Sequence, residues 1–148
     1  MVDRRLEALL RATGDLLAIP PTRSRTPRFE DRRPACDLDH LHLGVRHLDA
    51  AAGFYREWFG LEGEVIEGTL FARNQNGFLL CLTPDPDATP VANAHFGFSL
   101  PTGDAVLRLH GEMLEAGADV DLEVYQEPGF TSFGVRDPDG NTFEVFAE

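Results

Sequence analysis

Apolar residues fall at every second position within the stretch 39–46. Leu41, Leu43 and Val45 fall on one face, and His40, His42 and Gly44 on the other. A repeat of two is the signature of a half-buried strand. The pattern then changes to a helical one, in which Ala51, Phe54, Tyr55 and Trp58 share a face, Asp49 is placed to cap the start and Gly60 the end. Strand-like runs follow near 62–68, 69–74 and 78–83, with the hairpin signal Asn76-Gly77 before the last of them. The sequence then runs through the same plan again. A strand is predicted over 94–100, and a helix capped by Thr102 or Asp104 carries Val106, Leu109 and Met113 on one face and ends at Gly117. Strands are predicted near 119–126, 130–136 and 141–147, the last two separated by the turn Asp137-Pro138-Asp139-Gly140. The registers agree between the halves: His40 opens the first and His95 the second, and Gly77 precedes Cys81 by four residues as Gly140 precedes Glu144.

The expected fold is therefore α+β: two βαβββ modules, 39–83 and 93–148, joined by the proline-containing stretch 84–92 and forming a cupped sheet around one cleft. Residues 39–148 read as a single domain. Residues 1–38 read as an N-terminal helical arm, with an amphipathic helix over 2–18 stopped by Pro20-Pro21 and a segment rich in Pro and Arg over 20–37.

Charge narrows the functions open to this fold. The net charge is −12, and it is unevenly spread: residues 1–38 carry eight arginines against six acids, and residues 39–148 five against nineteen. A chain this acidic is a poor ligand for nucleic acid or for an anionic membrane. It contains no lysine, which excludes Schiff-base chemistry on a side-chain amine. Cys36 and Cys81 do not form a disulfide framework, no apolar run is long enough to cross a membrane, and the N-terminus lacks the apolar core of a signal peptide. The expected location is the cytoplasm.

Three polar groups stand on strands that otherwise carry apolar residues. Glu144, between Phe143 and Val145, calls for a partner, because a carboxylate buried alone is costly. With His40 and His95 in matching registers, a bound cation is the natural partner. Two imidazoles and one carboxylate suit catalytic zinc with an open position and equally suit non-haem Fe(II), and Mn, Ni and Co also remain open. His42, on the same face as His40, is the candidate for proton transfer, with Glu144 as its rival. Cys81 is open both as a fourth ligand and as a core residue. Ser99, Ser132 and Arg136 are candidate substrate contacts, Arg136 and Arg73 being able to fork onto a carboxylate. His47 and His110 read as solvated, and Phe54, Tyr55, Trp58 and Phe59 as core.

The segments Asp39-His40-Leu41-His42-Leu43-Gly44-Val45, Phe54-Tyr55, Phe59-Gly60-Leu61 and Asp137-Pro138-Asp139-Gly140-Asn141-Thr142-Phe143-Glu144 resemble the vicinal oxygen chelate superfamily. That superfamily includes glyoxalase I, fosfomycin-resistance proteins, extradiol dioxygenases and bleomycin-resistance proteins. The resemblance covers 39–148. It implies paired βαβββ modules, one divalent ion held at the positions of His40, His95 and Glu144, and a small-molecule substrate with two adjacent oxygens. The implied activity is that of a lyase, isomerase or oxygenase, and the alternative is a drug-sequestering binding protein. By analogy the chain is a homodimer, with the modules pairing either within a chain or across the dimer. Each familiar subgroup fits poorly. Cys81 replaces a glutamate or glutamine ligand, Gly134 stands where dioxygenases have a tyrosine, the lysine and tyrosine of fosfomycin enzymes are absent, and bleomycin binders usually lack the ligands present here.

Overall fold

A computed structural model describes residues 38–148. The helix expected over 2–18, the arm and Cys36 lie outside the described residues. The chain forms β1 (His40–Val45), α1 (Leu48–Phe59), β2 (Glu62–Ile66), β3 (Thr69–Arg73) and β4 (Leu79–Pro84). It then repeats the plan as β5 (Gly97–Ser99), α2 (Gly103–Glu115), β6 (Tyr125–Glu127), β7 (Phe130–Arg136) and β8 (Thr142–Ala147). The fold is α+β, built from two βαβββ modules. Each module makes one four-stranded sheet, in the orders β1-β4-β3-β2 and β5-β8-β7-β6. In each, the first strand runs parallel to the last and the remaining pairs are antiparallel. A parallel pair needs a crossover, and the helix with the two intervening strands supplies it.

Each sheet buries one face. Leu43, Val45, Leu80 and Leu82 of the first sheet, and Phe133, Val135, Phe143 and Val145 of the second, join a single core with Ala51, Tyr55, Val106 and Met113 of the helices. An aromatic cluster joins the modules. Phe59 of α1 stacks on Phe98 of β5 at 4.3 Å between ring centroids, and Phe143 of β8 meets Phe54, Tyr55 and Phe59. The turn before β8 is tied to α1 as well. The Tyr55 hydroxyl donates to Asp137 at 2.8 Å, and Asp139 accepts from the Arg46 backbone N–H and Nε. Asp137 also accepts from the backbone N–H groups of Asp139 and Asn141 and from the Asn141 side chain. These bonds pair a buried carboxylate that would otherwise be costly.

The boundaries depart from expectation at three places. His47, not Asp49, occupies the N-cap of α1, and Asp49 sits in the first turn, where a carboxylate still complements the helix dipole. The strand expected over 94–100 shrinks to Gly97–Ser99, so His95 lies just ahead of it. The strand expected over 119–126 shrinks to Tyr125–Glu127, leaving Val120 in a lone bridge to Val135. In both cases the pairing partner, not the alternation, sets the strand's length. Thr102 caps α2 by accepting from the Ala105 N–H, and Gly60 ends α1 in the left-handed conformation. No described helix is long and apolar enough to cross a membrane.

Candidate metal centre and its cleft

The open face of the first sheet is set by strand register. His40 lies beside Leu79, with Arg73 next in the row; His42 lies beside Cys81, with Phe71 beyond it; and Gly44 lies beside Thr83. His40 Nδ1 is 2.7 Å from Asp39 Oδ1, which holds the Asp39 carboxyl below the usual carboxylate range, chiefly through that hydrogen bond. His42 Nε2 is 2.7 Å from the Thr83 hydroxyl, itself 2.9 Å from the Thr69 hydroxyl. Cys81 is buried, and Arg73 donates to the Gly77 carbonyl.

The open face of the second sheet carries Glu144. Gly97 and Gly134 stand in register on either side of it, so the neighbouring strands place no side chain against its carboxylate. His95 Nε2 lies 3.3 Å from Glu144 Oε2. The histidine side chain is 74% exposed and the glutamate 27%. A Cβ at Gly134 would come within 2.5 Å of Asp121 Oδ2, which instead accepts a hydrogen bond from the Gly134 N–H. Asp121 thus fills the space of the missing side chain. Around Glu144 lies a cleft of about 210 Å³ lined by His95, Asp121, Glu123, Tyr125, Ser132 and Thr142 among others. Ser132 faces it and is only 5% exposed, whereas Ser99 is exposed one strand away from Ser132, across Phe146. Arg136 pairs with Asp119 at 3.1 Å and approaches Asp121 at 3.9 Å.

The structure therefore brings His95 and Glu144 together and leaves His40 with Asp39. Among the described residues, no three His, Cys, Asp or Glu side chains converge as a metal site. A larger cleft of about 290 Å³, between α1 and the segment after α2, contains Phe54 and Trp58 but none of the candidate ligands. His110 is not solvated as expected. It is buried, its ring meets Phe133, and its Nε2 lies 2.7 Å from the Asp121 carbonyl oxygen. The helical pattern places it at the edge of the apolar face, and the irregular segment 119–124 then closes over it. Two residues with a part in the site carried no separate signal: Asp39, adjacent in sequence to His40, and Asp121, whose place is explained only by the missing Cβ at Gly134.

The glyoxalase/bleomycin resistance protein/dioxygenase superfamily model matches residues 37–145. The chain belongs to this superfamily. Solved members of similar fold include a possible glyoxalase from Bacillus cereus, at 27% identity and TM-score 0.65, covering 75% of this chain and 98% of that one. The lactoylglutathione lyase of Agrobacterium tumefaciens is 26% identical, with TM-score 0.62 over 77% of this chain and 95% of its own. A fosfomycin resistance protein from Listeria monocytogenes shares the fold at TM-score 0.68 and 20% identity, covering 78% of this chain and 95% of that one. No curated protein matches the sequence.

Proposed function

We propose that this superfamily member is a metal-dependent enzyme of the glyoxalase type that acts on a small substrate with two adjacent oxygens. We place its active centre between two copies of the chain, with His95 and Glu144 supplied by one copy and His40 by the other. The observation that carries this reading is the 3.3 Å separation of His95 Nε2 and Glu144 Oε2. Two tetrahedral donors, each about 2.0–2.2 Å from zinc, stand about 3.3–3.6 Å apart. The two groups have the spacing of neighbouring ligands, and the open carboxylate face leaves room for more.

His40 supports a shared site. Its side chain is 62% exposed, and its Nδ1 is engaged by Asp39, which leaves Nε2 as the available donor. Metal-binding histidines commonly have the second nitrogen held by a carboxylate in this way. The face around His40 exposes Phe71 and Ile66, apolar surface that a second copy would cover.

His95, Glu144 and the other copy's His40 would hold the divalent ion, which would supply a Lewis acid for adjacent substrate oxygens. The chain's own residues do the rest. Thr83 orients the His42 ring through Nε2 and leaves Nδ1 to exchange a proton with substrate. Ser132 and Ser99 offer hydroxyls for orientation, while Arg136, held by Asp119, lines the other cleft and serves the site only through Asp121.

Elemental analysis of protein purified without added metal or chelator tests the reading, with one transition ion per chain expected. Mixing His40→Ala with Glu144→Gln protein tests the sharing. Each variant alone is expected to lose the ion, and an equal mixture to regain about a quarter of the wild-type content, since about half the dimers are mixed and each mixed dimer restores one of its two sites. Protein that arrives empty and stays empty with added zinc would leave a binding module instead of an enzyme. Recovery failing in the mixture would place all three donors in one chain.

A further inference from the structure

The cleft beside Glu144 has two unlike ends. One end is acidic, with Asp121 and Glu123 lining the space beside Glu144. At the other, Tyr125 lines the space, and an aromatic shelf continues from it along the same sheet face, beyond the cleft's own lining. Phe146 stands in register with Ser132, which pairs in turn with Tyr125. Phe130 stacks on Phe146 at 6.2 Å and meets Tyr125 edge-on at 6.3 Å. Between the ends lies Ser132, more than nine-tenths buried on the cleft face, and none of the hydrogen bonds among the described residues uses its hydroxyl. Its oxygen is not sealed in the interior but reaches the cleft, where a ligand can supply a partner.

Positive charge is scarce here. The chain has no lysine. Arg136 already faces Asp119 and Asp121. On the first sheet's open face, Arg73 stands beside Glu62. An anionic ligand would meet carboxylates and find no free cation among these groups, whereas a cationic one would find Glu123 unpaired by any described side chain.

We infer that the Glu144 cleft takes an aromatic small molecule bearing a protonated amine, with its ring on the Phe146–Phe130–Tyr125 shelf, its amine toward Glu123 and Asp121, and a polar substituent at Ser132. This rests on reading the cleft as the substrate site, and it specifies the ligand class. Rings lie well against aromatic side chains, and cations are attracted both to carboxylates and to ring faces.

Three probes of matched shape separate the charge term: tyramine, neutral 4-ethylphenol and anionic 4-hydroxyphenylacetate, each titrated calorimetrically into the full chain. Tyramine is expected to bind at least about tenfold more tightly than 4-ethylphenol, and 4-hydroxyphenylacetate more weakly than either. Glu123→Gln, at an exposed position that leaves the fold intact, is expected to remove most of the tyramine advantage while sparing 4-ethylphenol. Ser132→Ala is expected to weaken both. Asp87→Asn, the same loss of charge in the linker between the modules, is expected to leave the ratio unchanged. The inference is overturned if 4-hydroxyphenylacetate binds as well as tyramine, if none of the probes binds, if Glu123→Gln preserves the ratio, or if Asp87→Asn alters it as much. Metal content measured on the same samples keeps the two readings apart. A loaded protein without amine preference sinks only the ligand class, and an empty protein with that preference sinks only the metal.

Discussion

His95, just ahead of β5, and Glu144, within β8, face each other with 3.3 Å between Nε2 and Oε2. Forty-nine positions of chain separate them, and the parallel pairing of β5 with β8 closes that gap. If the pair is part of a metal centre, His95→Ala and Glu144→Gln each lower affinity for zinc. Loss of an outer partner alone costs roughly 10–100-fold, and loss of a donor exceeds that. Competition against a chromophoric chelator measures both.

Asp39 gives a finer test. Its bond to His40 Nδ1 fixes the ring and leaves Nε2 outward. Asp39→Ala is expected to weaken metal binding by about 10–100-fold with no change in the thermal midpoint of the metal-free protein, since Asp39 is exposed. Equal metal affinity in the variant would remove Asp39 from the site.

Tyr55 is the buried joint between α1 and the turn before β8. Tyr55→Phe removes a donor from the Asp137 carboxylate and is expected to cost about 1–3 kcal/mol in urea unfolding. Burial, and then the Asp137 charge, push the Tyr55 phenol well above its ordinary pKa of 10.0. A raised value means that this stability is complete below about pH 10 and is lost as pH climbs from there toward the folded-state value. In a Tyr125→Phe background, tyrosinate absorbance should therefore appear only as the protein unfolds.

Phe143 touches aromatic rings from both modules. Phe143→Ala is expected to cost about 3–5 kcal/mol. Because its partners include Phe54 and Phe59 of α1, both sheets should unfold in one transition, with near-ultraviolet and far-ultraviolet dichroism coinciding.

Gly134→Ala tests whether Asp121 replaces a side chain. The new Cβ displaces the Asp121 carboxylate from the Gly134 N–H, at a cost of about 1 kcal/mol. In an Asp121→Ala background the same substitution should cost close to nothing, and a double-mutant cycle by thermal unfolding reads the difference.

Much of the architecture was legible because periodicity is local. Alternation at 39–46 and 141–147, helical spacing at 51–58 and 106–113, and turn residues at 76–77 and 137–140 each reflect which face the backbone must bury. The lengths of β5 and β6 were not legible, since a strand persists only as far as its neighbour continues to pair. His110 follows Val106 by four and precedes Met113 by three, so helical spacing already puts it on the buried face; its polar side chain masks that, and only the fold supplies the Asp121 carbonyl that satisfies it.

The sequence alone determined the two modules, their helices and the sheet face of His40, His42 and Glu144, because side-chain direction follows from backbone geometry within a few residues. Only the tertiary structure decided which of those faces meet. Pairing of β5 with β8 brought His95 to Glu144, Asp39 engaged His40, and Asp121 moved into the space that Gly134 leaves open. Such contacts depend on how whole sheets pack, and no local period encodes them.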